Sequence, residues 1–305
     1  MTDTAPCSQA PLAGCRLPRA VRAFAPRRPP AARQIAARAA DRPAESSESG
    51  DMAPPAGQRA ALAAAAYALA ALLSAPAPAT AEEITPVYFG NGCFWGRQFD
   101  YVNTEKALGR DTSSLSAMAG YAGGRTPSRA EKVCYYRGPD GTVYEELGHA
   151  EAVQVELRGD SEEAQRQFRA FAQTYFKQFR KTPFGMMRLD PQDAGPGYRN
   201  VIGLPGGVDS PFFPILLEAN VNGMRLLPGS GNQYDPSGKA TEGDEFNTVW
   251  ILDSTSLPFN QAEVYHQYHN GIGEAFPKSY TRDLKQAMVD SGKVQPTGCP
   301  EYIFY

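Results

Sequence analysis

The chain has 305 residues, 30 Lys plus Arg against 33 Asp plus Glu, a formal net charge of −3 and 42% hydrophobic content. That is enough apolar residue for one large domain or two ordinary ones. A weakly acidic balance excludes a basic nucleic-acid footprint and an anionic-membrane surface.

Residues 1–81 have a different composition. They hold nine of the basic residues, all Arg, and five of the acids, crowded among Ala, Pro and Ser. The remainder therefore carries 21 basic and 28 acidic residues, near −7. An Arg-rich, acid-poor leader is targeting composition. Within it, ALAAAAYALAALLSAPAPATA (61–81) is apolar and ends in Ala79-Thr80-Ala81, a small-x-small peptidase site before Glu82-Glu83. The pair of signals resembles the two-part transit peptide of proteins passed through the plastid stroma to the thylakoid lumen. A plain stromal transit peptide and a disordered tail are the alternatives. The apolar run is short for a membrane span and is cleavable, so no stable membrane insertion is expected after processing. The catalytic domain is expected over 82–305.

Of five cysteines, Cys7 and Cys15 lie in the leader, which leaves Cys93, Cys134 and Cys299. Three is too few for a disulfide scaffold and implies a thiol in use. There is no CxxC and there are three His, so no metal is expected.

In the body, TPVYFG (85–90) reads as a strand broken by Asn91-Gly92. Trp95, Phe99 and Val102 then share one face of a helix running to about Gly109, with Cys93 at its start. Ser116–Tyr121 is a second strand candidate, closed by the Gly123-Gly124 turn. In HAEAVQVEL (149–157), Glu151 shares its parity with Val153, Val155 and Leu157, so its carboxyl faces the core. Asp160 or Ser161 caps the next helix, whose Ala164, Phe168, Phe171, Tyr175 and Phe179 form an apolar stripe. Residues 181–250 are rich in Gly and Pro and end in a strand, FNTVWIL. Asn260 with Glu263 is spaced to cap a short helix, QAEVYHQYH, and a tail carrying Cys299 follows.

A thiol at a helix N-terminus faces unpaired N–H groups and the positive end of the dipole, which favour thiolate. Cys93 is thus a candidate nucleophile, against the alternative of a buried inert cysteine. Gly92 and Gly96 give space for a ligand near the backbone. Phe94 and Trp95 form an apolar wall suited to a methyl-thioether, or else fill the core. An inward carboxyl has its charged form disfavoured, so Glu151 can hold a proton and act as a general acid, unless it pairs with an Arg.

Taken in order, GCFWG, GYAGG (120–124), GHAEAVQV (148–155), QDAGPGYRN (192–200) and PFNQAEVYHQYH (258–269) resemble the type A methionine sulfoxide reductases over roughly residues 86–270. The resemblance implies an α+β fold: a two-layer sandwich of a central mixed sheet packed by helices, with a long irregular C-terminal segment. It implies a protein-repair reductase for methionine S-sulfoxide, free or in proteins. Cys93 would attack the sulfoxide sulfur, Glu151 protonate the oxygen, Phe94 and Trp95 hold the methyl group, and Asp193 and Tyr198 bind the oxygen. Cys299 would resolve the Cys93 sulfenic acid as a disulfide, reduced by an external thioredoxin-like thiol, with no bound cofactor and a monomeric chain.

The sequence departs from that pattern at Ala130, where the family has an oxygen-binding tyrosine; Tyr135, Tyr136 or Tyr144 are the candidates to replace its hydroxyl. Two rival functions fit the same residues: a non-catalytic binder of methionine or methionine sulfoxide, and a peroxide-sensing or peroxidatic cysteine protein.

Overall fold

A computed structural model describes residues 82–189 and 191–301. The targeting segment, Cys7 and Cys15 lie outside the described residues. Chain order begins with β1 (Ile84–Gly90), α1 (Phe94–Ala107), β2 (Met118–Ala122), β3 (Ala150–Arg158) and α2 (Ser161–Lys177). A small hairpin follows, β4 (Phe179–Thr182) and β5 (Gly185–Arg188). Then come β6 (Val201–Leu204), α3 (Phe213–Ala219), β7 (Arg225–Pro228), β8 (Thr248–Asp253), β9 (Asn260–Gln261) and α4 (Lys285–Asp290).

Seven strands form one sheet in the order β7-β8-β6-β1-β3-β2-β9, antiparallel around β1, β3 and β2 but parallel where β8 joins β6 and β7. It is a mixed sheet in an α+β fold. One face carries the main core: Phe89, Val153, Val155 and Leu157 pack with the helix residues Tyr101, Val102, Phe168, Phe171 and Tyr175. The other face carries a smaller cluster built on Tyr88, Ala150, Ala152, Val201 and Leu252. The period-2 side-chain alternation of β3 produces this division and sends Glu151 into the same layer as the long helices.

Asp160 caps α2, its Oδ1 accepting from the backbone N–H of Glu162 (3.1 Å) and Glu163 (3.0 Å). Four of the five stripe residues lie on that helix and are buried. Phe179 is buried too, but as the first residue of β4. The chain leaves the helix at Gln178, whose side chain bonds Asn91 and Asp100 (2.9 and 2.8 Å). Phe168 is fully enclosed, with ring centroids 5.1 Å from Phe212 and 6.0 Å from Phe89. Truncating it in Phe168→Ala should cost about 3–5 kcal/mol, read as a lower urea midpoint with an unchanged slope.

Two expected elements differ. The buried face of α1 is Phe94, Gln98, Tyr101, Val102 and Glu105, while Trp95 and Phe99 are only half-buried. The C-terminal segment covers them: Phe276 stacks on Phe99 and His269 on Trp95, each at 4.0 Å. The helix placed over 261–269 is instead the strand β9 followed by a single 3-10 turn, Val264–His266. Strand pairing wins because Gly120 opposite Gln261 has no side chain; a Cβ there would lie 2.1 Å from the Asn260 carbonyl. Glu263 does not cap, since its carboxylate accepts from Tyr121 Oη (2.7 Å) and the Tyr135 N–H (2.8 Å). Among the described residues no helix is long and apolar enough to cross a membrane.

Candidate active site

β1 delivers the chain to a turn in which Gly92 adopts φ +87, a conformation open to glycine. The Gly92 N–H donates to the Tyr198 carbonyl (3.0 Å), which fixes the segment bearing Tyr198 beside the turn. Cys93 is the N-cap residue of α1, buried, and its thiol is free of any disulfide.

Glu151 reaches this helix start from β3. Its Oε2 accepts the Phe94 N–H at 2.9 Å, and the Cys93 thiol hydrogen-bonds to the same carboxyl. The carboxyl is 1% exposed, and burial holds its pKa well above the usual carboxylate range. The bonds from Phe94 and Cys93 oppose the shift without cancelling it, while the negative charges of Asp193 and Glu145 add to it. Burial therefore favours the protonated form of Glu151.

Phenol hydroxyls close the other side. The Tyr136 hydroxyl lies 3.1 Å from that of Tyr144 and 3.2 Å from that of Tyr198. Tyr135 hydrogen-bonds Tyr198 and faces both Glu151 and Cys93. Burial raises the pKa of all four phenols, so all remain donors. Asp193 is half-buried on the loop leading to Tyr198, close enough to act on Glu151. A cleft of about 420 Å³, lined by Tyr136, Val143, Glu145, Glu146 and Tyr234, opens beside this cluster.

Phe94 is buried against Tyr121 (5.9 Å) and His266 (5.2 Å), whereas Trp95 is only half-buried. The indole N–H of Trp95 donates to His266 Nδ1 at 3.2 Å. Burial lowers the His266 pKa to about 3, so the ring is neutral and able to accept. His266 and His269 thus hold Trp95 in place. The YHQYH spacing sets the two rings near one another, and only packing of the C-terminal segment places them against Trp95. His149 is a third neutral ring, lowered to about 4 by burial, whose Nδ1 accepts the Gly124 N–H.

The structure brings Cys93, Phe94, Trp95, Glu151, Asp193 and Tyr198 together, while the Cys299 thiol is engaged with Cys134. In this structure Cys299 is disulfide-bonded to Cys134, with Cα atoms 5.6 Å apart, and not to Cys93. The tail is held against the body rather than loose: Lys132 Nζ donates to the Gly298 carbonyl (2.7 Å). The Glu301 carboxylate accepts the Val264 and Tyr265 N–H groups. The bridge spans 165 residues of sequence, and Cys299→Ser should lower the unfolding free energy by about 2–4 kcal/mol in non-reducing denaturant titrations.

Fold and geometry define a site class: a helix-start thiol beside a buried carboxyl of raised pKa, ringed by phenol donors and one aromatic wall. Such a site can attack an electrophilic centre and protonate the atom it displaces.

No protein-family model matches the sequence, and no curated protein matches it. Among solved structures, the chain is similar to methionine sulfoxide reductase A of Corynebacterium diphtheriae, with 20% identity over 60% of this chain and 72% of that one and a TM-score of 0.32. It is also similar to Mxr1 from Saccharomyces cerevisiae in an unusual oxidized form, with 17% identity over 75% and 93% and a TM-score of 0.29. Similarity at this level leaves the functional reading to the geometry.

Proposed function

We propose that the chain is a thiol-dependent reductase of methionine S-sulfoxide, free or in proteins, serving protein repair. The observation that carries this reading is the buried Glu151 carboxyl, its pKa raised by burial, hydrogen-bonded at the helix start to both Phe94 N–H and the Cys93 thiol.

A sulfoxide oxygen is a poor leaving group until it is protonated. In the proposed reaction Cys93 sulfur attacks the sulfoxide sulfur and Glu151 supplies a proton to the oxygen. Tyr135, Tyr198 and Asp193 surround the oxygen, and Phe94 with the half-buried Trp95 receives the methyl group. The oxygen ends on Cys93 as a sulfenic acid, methionine leaves, and the thiol proton returns to Glu151. An external dithiol of the thioredoxin kind then reduces the sulfenic acid, giving its own disulfide and water. Cys299 can serve as the resolving thiol only after its bond to Cys134 is reduced. No bound cofactor has a part in these steps, and the chain acts as a monomer. The composition of residues 1–81 supports a chloroplast address, lumen or stroma.

Turnover of the separated sulfoxide epimers with dithiothreitol tests the reading. Methionine should appear from the S-epimer over many cycles. Affinity without methionine release would identify a binder, and preferential oxidation of Cys93 by peroxide would identify a sensor or peroxidase; either result overturns the proposal.

A further inference from the structure

The Cys134–Cys299 disulfide does not stand alone. A Glu263 carboxylate oxygen and the two Sγ atoms all lie within 4.8 Å of one another, and all three residues are buried. Three separate segments deliver them, each fixed by its own bonds. Cys134 is paired through its backbone, its N–H donating to the Thr142 carbonyl and its carbonyl accepting from the Tyr144 N–H, both at 2.8 Å. Cys299 follows the Gly298 turn tied to Lys132. Glu263 is oriented by Tyr121 Oη on one oxygen and the Tyr135 N–H on the other.

A disulfide next to a carboxylate gains nothing from it, because neither group donates a proton to the other. Two thiols next to a carboxylate are a different object: two soft donors and one hard donor, already gathered. Breaking the S–S bond separates the sulfurs, and a tetrahedral ion with metal–sulfur bonds of about 2.3 Å needs them roughly 3.8 Å apart. That separation lies within the span the three donors occupy. Each Glu263 oxygen uses one lone pair on its present donor and keeps another for a metal. Tyr121 and the Tyr135 N–H then become the outer partners that orient a ligating carboxylate.

We propose that on reduction Cys134, Cys299 and Glu263 form a tetrahedral Zn²⁺ site with water in the fourth position, so that the same two sulfurs alternate between a disulfide and a metal centre. An external dithiol breaks the S–S bond, transfers two electrons and two protons to the sulfurs and becomes a disulfide itself. Zinc then displaces the two thiol protons without changing oxidation state. Thiolate sulfur selects zinc over magnesium or calcium. Because metal-bound thiolates resist reoxidation, the tail carrying Cys299 stays anchored to the segment bearing Tyr135 in both redox states.

The test uses the full chain, reduced anaerobically with a phosphine and passed through a desalting column, with Zn²⁺ measured by elemental analysis and Co²⁺ as the optical probe. Reduced protein should retain one equivalent of zinc and show the sulfur-to-cobalt charge-transfer and visible bands of a tetrahedral site; oxidised protein should show neither. Cys93→Ser should retain the site. Cys299→Ser and Glu263→Gln should weaken binding at least about tenfold, and Tyr121→Phe about 10–100-fold, with circular dichroism unchanged. Reduced protein that binds no more metal than oxidised protein, or folded Cys299→Ser that binds as well as the parent, overturns the proposal. The readout involves no sulfoxide, so its outcome is independent of the proposed reductase activity.

Discussion

Replacing Cys93 with serine should reduce methionine formation from the S-sulfoxide by at least about 10⁴-fold in kcat, the loss typical of removing a covalent nucleophile. A serine hydroxyl is not appreciably ionised at the start of α1 and cannot form a sulfenic acid. The substitution is nearly isosteric at a buried position, and the Phe94 N–H bond to Glu151 does not involve the sulfur. Circular dichroism and the denaturant midpoint should therefore change little while turnover vanishes. Retained turnover in Cys93→Ser would refute the assignment of Cys93 as the attacking thiol.

Glu151→Gln separates geometry from proton supply. The amide oxygen can still accept the Phe94 N–H, but no acidic proton remains, and a positioned general acid typically contributes about 10²–10⁴ in rate. In the parent, activity should fall as pH rises through the raised Glu151 pKa, since the acid form is the active one; the variant should lose that limb of the profile. The stability consequence has a definite sign. With the folded pKa above the ordinary carboxyl value of 4.5, the folded state binds the proton more tightly than the unfolded state. That contribution is fully present below pH 4.5 and is lost as pH rises from there through the folded pKa. Glu151→Gln has no such titration, so its stability relative to the parent should increase with pH across that window. Parallel stability curves, or an unaltered pH–rate profile in the variant, would remove Glu151 from the role of acid.

Much of this site was legible from local pattern. The alternation in β3 puts Glu151 on the buried face beside Val153 and Val155, and the strand–turn–helix punctuation around Asn91-Gly92 puts Cys93 at a helix start. Both are nearest-neighbour properties of the backbone, with periods of two and 3.6, and survive without knowledge of the rest of the chain. The capping of α2 by Asp160 is similarly local. The strand FNTVWIL was legible and is β8, but the stretch before it was not. There β4 to β7, of four residues each, give too few turns of any period to be read, and β6 becomes a strand only by lying between β1 and β8.

The same division applies to the chemistry. Residue types and spacing by themselves determined which thiol starts a helix, which carboxyl turns inward and which aromatics adjoin the sulfur. Tertiary structure alone decided that Tyr135, Tyr136, Tyr144 and Tyr198 meet, that His266 and His269 clamp Trp95, and that Cys299 bonds Cys134 rather than Cys93. The meeting of Tyr198 with the other tyrosines, of the two histidines with Trp95 and of the two cysteines each depends on long-range packing, in the last case across 165 positions. No local period encodes such a meeting; the packing of the sheet, its helices and the C-terminal segment does.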